Sequence, residues 1–251
     1  MTGTYNIWLV LFSILVAIYV SHTALSLSAR VAQGKESQAG AWLAGGAVAM
    51  GCGIWSMHFI GMLAFSLPIP LSYDIPLTIG TLIIAIAISG FALLVASRPQ
   101  ISLPHLSVAA VIMGVGISSM HYAGMAAIEI EPMVTYELDL LVASIVIAIV
   151  ASFAALWLFF RLREGNSVGM KLARAGAAFI MGLAISGMHY TGMAASQFSA
   201  KAVCINGGNV DTRWLAVTTG VIAIGVLSIT TVLLFLDSGR AARKGTAAGA
   251  H

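Results

Sequence analysis

Charged side chains are scarce in this sequence. Asp, Glu, Lys and Arg together make up 8% of its 251 residues, whereas 59% of the residues are hydrophobic. An ordinary soluble domain has about 25% charged residues. The composition therefore excludes a typical soluble protein and indicates a membrane protein, with the lipid bilayer as its main partner. The net charge of +3 does not indicate nucleic-acid binding, because most Lys and Arg residues lie in loops on one side of the predicted spans.

Cysteines and catalytic signatures are scarce as well. The chain has two cysteines, Cys52 in an apolar run and Cys204 in a predicted loop, and this number excludes both a disulfide framework and a CxxC metal site. The sequence contains no nucleophile elbow, phosphate-binding loop or HExxH motif. We therefore predict that the chain is not an enzyme. The first basic residue is Arg30, so the opening apolar run lacks the charged start of a signal peptide and is predicted to be a retained helix.

Apolar runs long enough to cross a bilayer recur through nearly the whole chain. A membrane-spanning helix needs about 17 to 25 such residues, and the sequence predicts an all-α membrane protein with seven transmembrane helices. The predicted membrane domain covers residues 1–236 and a short basic cytoplasmic tail covers 237–251. The seven spans are 7–27, 41–65, 77–97, 105–128, 140–160, 175–195 and 214–236.

Basic residues are distributed unequally between the two sides of these spans. Ten of the twelve Lys and Arg residues fall on the C-terminal side: Arg30, Lys35, Arg98, Arg161, Arg163, Lys171, Arg174, Arg240, Arg243 and Lys244. The opposite loops carry most of the acidic residues: Asp74, Glu129, Glu131, Glu137, Asp139 and Asp211. Because positive loops stay in the cytoplasm, we predict a multi-pass protein of the bacterial inner membrane with a periplasmic N-terminus and a cytoplasmic C-terminus.

A fifteen-residue motif occurs three times, in the second, fourth and sixth spans. The copies are MGCGIWSMHFIGMLA from Met50, MGVGISSMHYAGMAA from Met113 and MGLAISGMHYTGMAA from Met181. They begin 63 and 68 residues apart, which is two helices per repeat, so all three cross the membrane in the same direction. The sequence therefore predicts three two-helix parallel repeats around an axis along the membrane normal, plus one extra helix.

Each copy carries one histidine and three methionines, and these fall on one face of a helix. His58 and Met62 are four residues apart, so an imidazole and a thioether stand one turn from each other. The three histidines are predicted to share one depth, roughly 10 Å below the outer surface. Neutral imidazole and soft thioether ligands favour copper, Cu(I) especially. The candidate copper ligands are His58, His121 and His189 with Met62, Met125 and Met193, and then Met57, Met120 and Met188.

Several alternatives to this interpretation remain open. Phe59, Tyr122 and Tyr190 follow the histidines. They are candidates to contact the metal ligands and orient them without binding the metal themselves. The histidine and aromatic residues could instead form a purely structural hydrogen-bonded layer, with the methionines filling space. Haem is a weaker competitor, because threefold equivalence does not match one axial pair. A copper channel or transporter would place ligands at several depths, and Met50, Met113 and Met181 lie about 12 Å deeper than the histidines.

The repeated motif, close to M-H-[FY]-x-G-M, resembles that of the MHYT domain, a bacterial integral membrane sensor module. The literal letters MHYT occur at Met188 to Thr191. The resemblance covers all seven helices, so residues 1–236 would form an MHYT-type sensor domain. It implies sensing of a diatomic gas (O2, CO or NO) or of redox state through copper held by the Met, His and Tyr residues of the motifs. Many members continue into cytoplasmic signalling domains, so the resemblance also implies either a deleted output domain or a separate cytoplasmic signalling protein as partner.

Overall fold

The computed structural model describes residues 3–33, 36–163, 165, 167–205 and 212–248, and these residues are mainly helical. Seven helices are long and apolar enough to span a membrane, so the predicted all-α membrane fold is confirmed. The helices are α1 Ile7–Gln33, α2 Glu36–Leu63, α3 Ile75–Ala96, α4 Leu103–Ala126, α5 Leu138–Leu162, α6 Val168–Ala195 and α7 Thr212–Ala248.

Six of the helices form a closed ring. Each helix from α1 to α6 packs against the next, and α1 packs against α6 to complete the circle. Helix α7 lies outside the ring, against α2 and to a smaller extent α1. The extra helix of the predicted three-repeat fold is therefore α7, and the helices that carry the repeated motif alternate around the ring with α1, α3 and α5.

The first glycine of each motif allows two neighbouring helices to approach closely, as small residues do in membrane bundles. A Cβ built on each of these glycines would lie 2.5 to 2.6 Å from the Cα of an isoleucine on the next helix. No side chain fits at that distance without a shift of one helix. The three pairs are Gly51 with Ile86, Gly114 with Ile149 and Gly182 with Ile18.

Short antiparallel strands close one end of the ring, which we call the strand end. Strand β1 (Thr4–Tyr5) pairs with β2 (Phe65–Ser66), and β4 (Thr135–Tyr136) pairs with β5 (Ser196–Gln197). A single bridge joins Tyr73 to Ile128 at the third equivalent position. Each link ties the segment before an odd-numbered helix to the segment after an even-numbered one. A further pair joins β3 (Ile130–Glu131) to β6 (Val203–Cys204).

The helix ends differ in detail from the predicted spans. Helix α7 continues through most of the predicted tail, to Ala248. Lys35, Asp211 and residues 249–251 lie outside the described residues, so the predictions that involve them stay predictions.

Candidate metal centre

Three imidazole rings meet on the axis of the ring of helices. The Nδ1 atom of His58 lies 3.1 Å from that of His189 and 3.2 Å from that of His121, and the third Nδ1 pair is 3.3 Å apart. All three side chains are buried, with at most 1% of their surface exposed. The predicted convergence of the three histidines from α2, α4 and α6 is therefore confirmed.

The size of this triangle fits a metal ion. Three atoms about 3.2 Å apart surround a point about 1.8 Å from each of them. Nitrogen ligands of a protein-bound ion such as zinc lie 2.0–2.1 Å from it, so the three imidazoles would be able to hold one ion together. The same three residues form a group whose ligand atoms lie within 4.8 Å of one another.

The other nitrogen of each ring is held against a glycine of the neighbouring repeat. The Nε2 atoms of His58, His121 and His189 lie where a Cβ would be if Gly124, Gly192 and Gly61, respectively, carried a side chain. None of these Nε2 atoms has a hydrogen-bond partner among the described residues. The motif glycine three residues after each histidine therefore provides the space for the imidazole of a neighbouring repeat.

This arrangement is unfavourable for three neutral imidazoles alone. A neutral imidazole has one N–H group. If that hydrogen is on Nε2, the N–H is buried without an acceptor and three Nδ1 lone pairs face one another. If all three hydrogens are on Nδ1, the three N–H groups crowd into one small space. In a mixture, one Nδ1–H can donate to a neighbouring Nδ1, but at least one ring then keeps a buried Nε2–H without an acceptor. A cation that accepts all three Nδ1 lone pairs would remove their mutual repulsion, while the Nε2–H groups would keep the cost of unsatisfied buried polar groups, roughly 1–3 kcal/mol each.

Replacing Gly124 with alanine tests the role of the glycine contact. The added methyl group would overlap Nε2 of His58, so the ring must turn and move its Nδ1 away from the other two. For the copper predicted from the sequence, we expect the affinity to fall by about 10- to 100-fold, the range found when groups that orient metal ligands are removed. Competition with a chelator of known affinity measures this change.

Gly187→Ala is the matched control, since no atom of the described residues lies within 4 Å of a Cβ at Gly187. It makes the same substitution near the histidine of α6 and should leave copper affinity unchanged. Equal affinity of Gly124→Ala and wild-type protein would contradict the proposed role of the glycine.

The candidate methionines are all buried, but they lie in different surroundings. Met62, Met125 and Met193 come one helical turn after the histidines, in an apolar cluster near the strand end that also holds Met120. Met57 packs with residues of α1, and Met188 lines a cavity on the other side of the histidines. Their role as ligands stays a prediction.

The motif tyrosines point their hydroxyls at neighbouring helices. The hydroxyl of Tyr122 lies 2.6 Å from Ser144 Oγ on α5, and that of Tyr190 lies 2.6 Å from Ser13 Oγ on α1. Phe59 has no hydroxyl, and in its repeat the indole N–H of Trp55 donates to Thr81 Oγ1 at 3.1 Å. Each repeat therefore joins its motif helix to a hydroxyl on an odd-numbered helix.

Sequence reasoning missed these three hydroxyl residues and also three tyrosines near the strand end. Ser13, Thr81 and Ser144 are separated by 68 and 63 residues, as are Tyr5, Tyr73 and Tyr136. The short segments TYNI, SYDI and TYEL, which begin at Thr4, Ser72 and Thr135, carry a signal that could have revealed them. This recurring pattern of a hydroxyl residue followed by tyrosine lies just before each odd-numbered helix in the ring.

These three tyrosines pack on the aromatic residues of the motifs. Ring centroids are 6.2 Å apart between Tyr5 and Tyr190, 6.3 Å between Tyr73 and Phe59 and 5.2 Å between Tyr136 and Tyr122. Burial, and then the nearby Tyr122, raise the pKa of Tyr136 to about 12. Burial also raises the pKa of Tyr73. Each motif aromatic residue therefore packs against a tyrosine near the strand end, and the raised pKa values keep Tyr73 and Tyr136 uncharged at physiological pH.

An apolar cavity of about 60 Å³ lies on the other side of the histidines. Its wall includes one isoleucine and one methionine from each repeat, at positions four and eight residues before the histidine. These residues are Ile54, Ile117 and Ile185 with Met50, Met113 and Met181. The histidines thus have an apolar cluster with four motif methionines towards the strand end and a cavity on the opposite side.

The sequence of the chain matches a family of repeats. The MHYT family, described as the bacterial signalling protein N-terminal repeat, matches residues 51–109, 114–170 and 182–249. The chain belongs to the MHYT family. The third matched repeat of this MHYT protein pairs α6 with α7 in sequence, whereas the structure places α1 beside α6 in the ring.

Relatives of this MHYT protein are signalling proteins. The chain is 50% identical over 242 residues to MucR of Pseudomonas aeruginosa, a bifunctional diguanylate cyclase and cyclic di-GMP phosphodiesterase. It is 37% identical over 233 residues to the signalling protein YkoW of Bacillus subtilis. The matches cover 96% and 92% of the chain but 35% and 29% of the relatives, so the chain spans about a third of their length. No solved structure matches the chain.

The matched part of these relatives is their MHYT membrane region. The cyclic di-GMP phosphodiesterase NbdA of P. aeruginosa is 39% identical over 199 residues, which are 79% of the chain and 25% of the relative. The enzymatic names of MucR and NbdA describe much longer proteins, and no catalytic domain is evident in this chain. The chain is therefore a multi-pass membrane signalling domain.

Proposed function

We propose that this MHYT domain is a sensor of the bacterial inner membrane that binds copper through His58, His121 and His189. The bound copper would report redox state or a diatomic gas such as O2, CO or NO. The single observation that carries the proposal is the meeting of three Nδ1 atoms within 3.1 to 3.3 Å of one another. The proposed orientation has the strand end and the N-terminus in the periplasm and the C-terminus in the cytoplasm.

The chemistry of the surrounding side chains favours copper. The ligand group consists of three buried histidines without a carboxylate, a set that suits neither Mg²⁺ nor Ca²⁺. Zinc would accept three imidazoles but gains little from methionine. Met62, Met125 and Met193 lie one turn away and offer soft thioethers. Tyr122 and Tyr190 would hold α4 and α6 in place through their hydroxyl contacts with α5 and α1. Phe59 takes the corresponding position in the first repeat.

The architecture offers a route for the signal. Helices α2, α4 and α6 each contribute one histidine, so a change in the preferred ligand spacing at the centre would favour a different spacing of three helices. A stimulus shifts such an equilibrium only if it interacts differently with the two states. Helix α2 also packs against α7, the last helix before the C-terminus. A displacement of α2 would therefore reach α7 and a cytoplasmic output domain or a separate signalling protein.

Carbon monoxide is a direct probe of this proposal. Protein in nanodiscs, loaded anaerobically with Cu(I) and exposed to CO, should give an infrared C–O stretching band of a Cu(I) carbonyl. The band should be absent without copper and in the His121→Ala variant. The same preparation in proteoliposomes should show no copper flux. Robust flux would contradict the sensor and favour a copper transporter.

A further inference from the structure

We propose that Met50, Met113 and Met181 form a second metal site, selective for Cu(I), on the axis of the protein. These residues do not belong to the M-H-[FY]-x-G-M core of the motif. The inference uses the same copper chemistry as the proposed function, but it rests on different side chains. The two sites can therefore be tested separately.

The three methionines are equivalent in position. Each lies eight residues before the histidine of its repeat, which corresponds to about 12 Å along the helix. Each is buried, with 5 to 6% of its surface exposed. Because they come from α2, α4 and α6, they surround the same axis as the imidazoles but at a second depth.

All three methionines line one cavity of about 60 Å³. A volume of 10–15 Å³ by this measure holds one water molecule, so the space is larger than a single ion needs. The hydroxyl of Ser152 also lines the cavity and is buried without a hydrogen-bond partner among the described residues. The cavity thus combines three thioethers with one unsatisfied polar atom, which points to a ligand rather than to plain packing.

Methionine is a common filler of irregular apolar space, but this role does not explain the arrangement. A filler removes cavities, whereas these side chains surround one. A filler is also free to vary between repeats, whereas methionine occurs here at the same position in all three. Neutral thioethers bind Cu(I) and other soft monovalent ions and bind Zn²⁺ or Mg²⁺ poorly, and this chemistry sets the selectivity that we propose.

The three methionines pack in one apolar cluster with three equivalent leucines of α1, α3 and α5. Leu25, Leu93 and Leu156 have at most 2% of their surface exposed and pack in the same cluster as the three methionines. Phe159 belongs to the same cluster and also lines the cavity. A Cu(I) ion at the methionines would therefore be stored below the histidines, and the protein would hold two copper ions.

The copper stoichiometry of purified protein in nanodiscs tests this inference. Under anaerobic conditions with excess Cu(I), the wild type should bind two ions. The triple variant Met50→Leu, Met113→Leu, Met181→Leu should bind one, with the histidine site retained. Leucine is close to methionine in volume, and such exchanges usually cost less than about 1.5 kcal/mol. The control Met133→Leu with Met170→Leu, both outside the motifs, should bind two.

X-ray absorption at the copper edge distinguishes the two sites. In a variant with His58, His121 and His189 changed to alanine, the remaining Cu(I) should show sulfur neighbours and no imidazole nitrogens, and changing Met50, Met113 and Met181 to leucine in this variant should remove the sulfur-bound copper. Zn²⁺ should not compete for it.

Two results would overturn the inference: binding of two ions by the folded leucine variant, or the absence of sulfur-bound copper from the histidine-free variant. A wild-type protein that binds sulfur-bound copper but no nitrogen-bound copper would instead refute the proposed sensor centre and support the methionine site.

Discussion

Changing His58, His121 and His189 together to alanine should weaken copper binding at the centre by at least about 100-fold. Among the residues that the structure describes, the three histidines are the group that offers nitrogen ligands on the axis, and removal of groups that merely support ligands already costs about 10- to 100-fold. Nitrogen neighbours should disappear from the copper X-ray absorption spectrum. Chelator competition gives the affinity, and absorption spectra give the identity of the ligands.

The thermal stability of the same variant separates a metal site from a structural layer of histidines. A ligand at 100 times its dissociation constant stabilises the folded state by about 2.7 kcal/mol, so copper should raise the melting temperature of the wild type and not that of the variant. His105→Ala is the control, because His105 is exposed at the start of α4 and its loss should leave the copper response intact. No copper-dependent shift in the wild type would favour the structural layer.

Gly114→Ala should destabilise the fold by about 3 kcal/mol, the upper end of the usual cost of overpacking. The new Cβ would lie 2.6 Å from the Cα of Ile149. A side-chain rotation cannot relieve a contact with the backbone, so α4 and α5 must separate. Thermal unfolding in detergent, followed by circular dichroism, measures the loss.

Gly80→Ala on α3 provides the comparison for this substitution. No atom of the described residues lies within 4 Å of a Cβ at Gly80, and alanine has a higher helix propensity than glycine. The melting temperature of this variant should be equal to or higher than that of the wild type. Similar melting temperatures for Gly114→Ala and Gly80→Ala would show that the close approach of α4 and α5 is not needed for stability.

The sequence predicted the motif helices better than the helices between them. Histidine and methionine are conspicuous in an apolar span, so their recurrence at 63 and 68 residues stands out. The partners of the motif tyrosines, Ser13 and Ser144, belong to a residue type that is common throughout the chain. Their positions acquire meaning only when the ring brings α1 and α5 beside the motif helices.

The closure of the ring by α1 was also beyond the sequence prediction. The spans alone do not tell whether α1 or α7 packs against α6, because contacts between distant helices depend on the shapes of their surfaces. The decisive feature is the fit of Ile18 on Gly182. Ile18, Ile86 and Ile149 have the spacing of the other equivalent positions, but isoleucine is too common in apolar spans for this spacing to be noticed.

Each imidazole rests on a glycine that belongs to another copy of the motif, and the three contacts run in one direction around the axis. One copy by itself therefore lacks the other two Nδ1 atoms and also lacks the glycine against which its own imidazole packs. Three identical copies would satisfy the same geometry as three different ones. A peptide containing a single helix pair should consequently assemble as a homotrimer when copper is added.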